Sequence, residues 1–183
     1  MAVWDGWRDV QDTPGIPHAH PFPVWIGFLL CGILFITEVV DVANKVESIQ
    51  WYVYVATVVT LIYFFMCVFR FHVILGQLTF GAYPIKSGPS VFYHFLPFFN
   101  IYWLFAWPSK FADYVKAERA VKVAPGAVLG TILILSALVA RFVDSSIGLA
   151  GYFGVMAYLT NRLRRYADYR DLDVAADQTA AQT

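Results

Sequence analysis

Between Pro21 and Asn161 the chain holds five stretches of 17 residues or more without a single Asp, Glu, Lys or Arg: residues 21–37, 48–69, 87–109, 123–140 and 145–161. A helix crossing a bilayer needs about 20 mostly apolar residues at 1.5 Å rise each, and a charge at its centre costs about 3 kcal/mol or more. Runs of this length are therefore what lipid demands of a crossing segment. Composition agrees. With 59% hydrophobic residues and only 14% charged, against about 25% charged in a soluble domain, the chain lacks the polar surface a water-soluble fold of this size requires. The predicted class is all-α: an integral membrane helical bundle in one domain, because in lipid the backbone must satisfy its own hydrogen bonds.

Predicted crossings fall at about 21–42, 48–72, 127–143 and 146–163, within a transmembrane domain over 21–166. Residues 1–20 form a polar arm with no apolar leader, where Pro14 and Pro17 discourage helix, so the first crossing is expected to direct insertion. Residues 109–122 interleave Phe111, Ala112, Tyr114 and Val115 with basic residues, the pattern of an amphipathic helix lying on the cytoplasmic interface. Residues 167–183 are expected to be a flexible polar tail. Gly148, Gly151 and Gly154 recur at the small-residue spacing that lets helices approach closely in lipid. Cys31 and Cys67, inside apolar runs, are expected to be small buried hydrophobes.

The third apolar stretch differs from the rest. Its core, VFYHFLPFFNIYWLFAW, places His94, Pro97 and Asn100 where a lipid-facing helix tolerates none of them. Proline removes a backbone donor and clashes with the preceding turn, and broken backbone at membrane depth survives only inside protein or beside a cavity. The broken segment, 90–108, either crosses as a kinked helix, making five crossings, or dips in and returns. Basic residues favour the cytoplasmic face. Five crossings split the 13 lysines and arginines nine to four, whereas re-entry leaves only Lys45 and Arg141 on the outer face and gives eleven to two. Re-entry is therefore preferred, with both termini cytoplasmic. It also brings Glu38, Asp41, Arg141 and Asp144 to one outer face as a charge cluster, where a Glu38–Arg141 pair is expected.

Chemistry-bearing residues are few. His18 and His20 form an H-x-H pair with no third ligand nearby, so no metal site is expected. His72 and His94 are the only candidates for haem ligands, and no cofactor is otherwise implied. Asn100, three residues past Pro97, is expected to satisfy backbone opened by the break. No nucleophilic constellation or phosphate loop stands out, and zero net charge offers nothing to nucleic acid. Trp25, Trp51, Trp103 and Trp107 lie near segment ends as expected interface anchors. Trp4 and Trp7 on the arm are candidate contacts with a partner or the membrane surface.

The run YPIKSGPSVFYHFLPFFNIYWLF (Tyr83–Phe105) resembles small bacterial integral membrane proteins of uncharacterised function that carry a Y-P-I … P-F-F-N-x-Y-W motif. The resemblance implies a bacterial inner membrane and two pairs of hydrophobic helices flanking a broken segment, but no activity. Two functions are then expected. One is a non-catalytic accessory or assembly subunit of a larger membrane complex. The other is a small transporter, channel or pigment or haem carrier acting through His94, Pro97 and Asn100.

Overall fold

The computed structural model describes residues 20–44, 50–96, 98–117 and 121–180, with side chains as far as residue 169. All regular structure among them is helical. The elements are α1 (Trp25–Ala43), α2 (Trp51–Leu78), α3 (Ser87–Phe92), a 3₁₀ turn at Tyr93–Phe95, α4 (Phe99–Ala117), α5 (Gly126–Phe142) and α6 (Ser145–Ala180). Two of them, α1 and α2, are long and apolar enough to cross a membrane. Helix α5 is equally apolar but shorter, at 17 residues.

α1 and α2 form an antiparallel pair pinned at both ends. The Tyr52 hydroxyl donates to the Asp41 carboxylate at one end, and the Tyr63 hydroxyl donates to the Pro23 carbonyl (2.9 Å) at the other. α2, with 28 residues, is about 42 Å long and outruns its partner. It stops in a Schellman turn, in which the Gly81 amide donates to the Gly76 carbonyl (2.8 Å) and the Phe80 amide to that of Gln77 (3.2 Å). Phe80 occupies the left-handed position (φ 49°) that such a turn normally gives to glycine.

The chain then doubles back along α2. The 3₁₀ turn reaches the midpoint of α2, where the His94 ring lies against Phe64 and Phe65 (centroids 6.4 and 5.5 Å) and Phe95 against Phe65 (4.9 Å). α4 returns. Its Phe111 packs on Phe71 (5.1 Å), and its Tyr114 meets Tyr83 (5.5 Å) in the connector from which α3 set out. Lys86 and Lys110, the two charges bounding the third apolar stretch, consequently line one pocket of about 290 Å³ with Pro89, Tyr93 and Trp103. The third stretch is a helical hairpin with its tip at mid-height on α2.

Glycines set the spacing of the remaining helices. A Cβ at Gly126 would run into Ser109 and one at Gly130 into Phe105, so α5 lies flush on α4. Gly148 abuts Ala140 and Gly151 abuts Ser136, which closes α6 onto α5 as the small-residue spacing predicts, whereas Gly154 faces open space and takes no part. Gly27 admits Phe153 and joins α1 to α6. α6 is the central helix, touching α1, α2 and α5. Its inward face of Leu149, Phe153, Met156, Leu159, Leu163 and Tyr166 is buried throughout.

Several boundaries differ from those predicted. α2 continues past residue 72 to Leu78, and Phe71, Ile74, Leu75 and Leu78 are covered by protein. No separate interfacial helix exists over 109–117. α4 passes through it unbroken, and Phe111, Ala112 and Val115 are core residues, because the hairpin folds their apolar stripe onto α2. α6 remains helical to Ala180, through most of the residues expected to form a loose tail. Trp103 and Trp107 are buried rather than interfacial, while Trp25 and Trp51 are exposed at helix starts as expected.

Candidate functional site at the hairpin

The hairpin is fastened at the Ser90 carbonyl. It accepts from Trp103 Nε1 on α4 (3.0 Å) and is bonded by His94 Nδ1 (2.9 Å), so one backbone oxygen holds descending and returning arms together. A carbonyl can only accept, which places the His94 proton on Nδ1 and leaves Nε2 of the neutral ring as an acceptor. That Nε2 is buried without a protein partner. Beyond the 3₁₀ turn, Leu96 is extended and ends the descending arm, and Phe98 is left-handed (φ 62°) and precedes the returning one. The Asn100 amide donates to the Leu96 carbonyl (2.9 Å), while its side-chain Oδ1 is buried and unpartnered. Asn100 thus meets the break through its backbone, not through the side chain that was expected to satisfy it. Pro97, the third member of the predicted site, lies outside the described residues.

His72 repeats the same local device one level higher on α2. Its Nδ1 bonds the Val68 carbonyl (2.9 Å) four residues back, and Nε2 is buried without a protein partner. Tyr83 and Trp107 close over the ring at centroid distances of 5.9 and 5.6 Å, and both also carry an unpartnered buried polar atom. Burial pushes the Tyr83 phenol well above its ordinary pKa. Tyr83 and Trp107 were not singled out from the sequence as polar groups. Tyr83 opens the run that carries the resemblance, and Trp107 was expected only as an interface anchor. The i−4 carbonyl explains how α2 carries a histidine inside its core: the ring satisfies half of its own polarity locally. Phe65, Val68 and His72 share a flank of α2, so the two imidazoles lie on one side of that helix, about seven residues or 10 Å apart along it. Each presents one free acceptor, but neither lines the two open pockets. Haem ligation would require them to face each other across a gap, and each is instead packed against aromatic rings.

Of the four residues predicted to form a charge cluster, Glu38 and Asp144 come together around Ser145 and Ser146, while Asp41 and Arg141 take other partners. Ser145 Oγ donates to the Glu38 carboxylate and so bridges α6 to α1. Asp144 caps α6, accepting from the Ser146 hydroxyl and the Ile147 amide (2.9 Å). Asp41 takes the Tyr52 hydroxyl. The expected Glu38–Arg141 pair is absent among the described residues, and Arg141 sits over the Phe142 ring (5.6 Å) instead. A serine immediately after the cap reaches Glu38 without the cost of desolvating a guanidinium. Elsewhere, Cys31 and Cys67 are buried free thiols. His20 is exposed and gives its carbonyl to Arg70. His18, Trp4, Trp7 and Lys45 fall outside the described residues.

Comparison with protein-family models, curated proteins and solved structures finds no match to this chain. Its function has to be argued from the geometry alone.

Proposed function

We propose that this chain is a small multi-pass protein of a bacterial inner membrane, a non-catalytic accessory or assembly subunit of a larger membrane complex. In this reading α1, α2, α5 and α6 cross, the hairpin is re-entrant, and both termini are cytoplasmic. The exposed apolar surface supports the placement. Large apolar side chains face outward on α2 from Trp51 to Phe69 and then cease, while Phe71, Ile74, Leu75 and Leu78 are all buried. That span of 18 rises is about 27 Å, close to the hydrocarbon thickness of a bilayer. α1 exposes Trp25 to Val42, and α5 exposes Val128 to Phe142, on the same pattern. The helices beyond this belt would form a cytoplasmic cap, in contact with water.

The observation that carries the subunit reading is the hairpin tip. Phe92, Phe98, Ile101 and Tyr102 all point outward there, Phe98 at 90% exposure and Tyr102 at 59%. The tip lies against Phe64 and Phe65, about 7 Å inside the inner end of the belt, and an exposed aromatic cluster of this kind is the profile of a protein contact. A photo-crosslinking phenylalanine analogue at position 98 or 102, irradiated in native membranes, tests it. The expected product is one discrete protein adduct of fixed mass, missing when the analogue stands at Val58 on the lipid-facing side of α2. Adducts with lipid alone, identical at all three positions, would overturn the subunit reading.

The second reading, a small transporter, channel or pigment or haem carrier, is favoured by one specific observation. His94 Nε2 and Asn100 Oδ1 are buried and unpartnered at the hairpin tip, where polar groups at membrane depth commonly serve a substrate or ion. Solute flux in proteoliposomes that is lost in Asn100→Leu with helicity retained, or a Soret band in the purified protein, would select it.

A further inference from the structure

Beside the hairpin an open groove of about 480 Å³ runs down the outer flank of α2. Ile62, Phe65, Met66 and Phe69 form its floor, Phe95 one wall and Phe22, from the segment before α1, the other. Every lining side chain is apolar, and the floor extends over about 10 Å of helix. The groove occupies the inner half of the exposed apolar belt and ends where the belt ends.

At that end stands Arg70. It continues the stripe of Ile62 and Met66 at four-residue spacing, so it projects from the same flank, and its side chain is half-buried. Its Nε donates to the His20 carbonyl (3.3 Å), two residues from Phe22, which sets the guanidinium at the head of the groove. Among the described residues it has no carboxylate partner. A guanidinium keeps a planar fork of donors matched to a phosphodiester, and here one without a carboxylate partner among the described residues sits where hydrocarbon gives way to headgroups.

We infer that this groove binds one anionic phospholipid, with an acyl chain along Ile62–Phe69 and the phosphate at Arg70. Arg70, with no acid beside it among the described residues to receive an ammonium headgroup, selects an anionic lipid over a zwitterionic one. The inference rests on the membrane placement proposed above.

Native mass spectrometry of the full chain in mild detergent tests it, with phosphatidylglycerol and phosphatidylcholine of matched acyl chains added in competition. The expected result is one retained phosphatidylglycerol at roughly tenfold preference, as loss of one charge-assisted hydrogen bond implies. Arg70→Gln should remove the preference, and Arg70→Lys should restore much of it. Met66→Trp, which fills the floor of the groove, should weaken both lipids. Equal retention of the two lipids by the parent chain, or an undiminished preference in Arg70→Gln, would overturn the site. Alkaline carbonate extraction separates the two levels: release into the soluble fraction defeats the membrane placement, whereas retention without lipid preference defeats the lipid site alone.

Discussion

Replacing Gly148 and Gly154 in turn by alanine should move stability in opposite directions, although the two lie on one helix and look alike in sequence. A methyl group at Gly148 would overlap the Ala140 backbone nitrogen and Cα as well as its Cβ. Backbone cannot rotate away, so α5 and α6 must separate, and overpacking of this kind costs about 1–3 kcal/mol. Alanine's better helix propensity returns somewhat less than about 1 kcal/mol at this position in the first turn of α6, leaving a net loss of up to about 2 kcal/mol. At Gly154 nothing lies within 4 Å, so only the propensity gain of about 1 kcal/mol remains. Both substitutions restrict the unfolded chain equally, so the comparison isolates packing. The two variants should differ by about 1–3 kcal/mol, or roughly 2–12 °C in melting temperature at about 2–4 °C per kcal/mol. A thiol-reactive fluorophore supplies the assay, since Cys31 and Cys67 are each only 4% exposed and become reactive on unfolding. Equal melting temperatures, or a Gly148→Ala chain at least as stable as the parent, would refute the close contact between α5 and α6.

Three other outcomes follow from the geometry. In a background with Cys31 and Cys67 replaced by alanine, single cysteines at Lys86 and Asp113 should be labelled from the same side of the membrane and one at Asp144 from the other; labelling of 86 and 113 from opposite sides would mean that the third stretch crosses. Phe80→Gly should stabilise the chain by about 1 kcal/mol in a thermal melt, because Phe80 is exposed and holds a left-handed backbone (φ 49°) that glycine adopts without strain. Trp103→Phe and His94→Phe should each cost about 1 kcal/mol, and the double variant should cost about 1 kcal/mol more than their sum. Each single change leaves the Ser90 carbonyl one side-chain donor and the double change leaves it none; strict additivity in a double-mutant cycle would show that the carbonyl is not shared.

The helical class was legible because it depends on a property sequence displays directly, the absence of charge over helix-length windows. The ends of the apolar belt were legible for the same reason: Arg70 marks where outward-facing apolar residues stop on α2. What hydropathy could not separate was apolar residues on the outside of the fold from apolar residues packed against protein. Phe111 and Val115 read as one side of a surface helix, yet they lie in the core beside Phe71. Trp107 read as an interface anchor and is fully buried against His72. Both errors share a cause. A stripe at helical period reports that one face is buried, not what buries it, and here the covering surface is the last turns of α2, some forty residues earlier in the chain.

The hairpin shows where charge distribution adds what hydropathy omits. As one straight helix, residues 87–109 would span about 33 Å, ample for a crossing. Hydropathy alone therefore admits five crossings, while the distribution of lysine and arginine prefers a return. In the fold α3 has six residues, about 9 Å of rise, and reversal follows at Leu96 and Phe98. Neither arm is held by its own length. Both hang on the Ser90 carbonyl and on the His94 ring wedged against Phe64 and Phe65. That explains the presence of a histidine in an otherwise aromatic run: a phenylalanine would pack as well, but only the imidazole both packs and bonds the carbonyl four residues before it. The same economy recurs at His72 and Val68. In each case the histidine's Nδ1 serves the fold and its Nε2 does not, so a function for either ring must be sought at Nε2, and a variant that keeps Nδ1 while blocking Nε2, such as an Nε2-methylated histidine, separates the two roles.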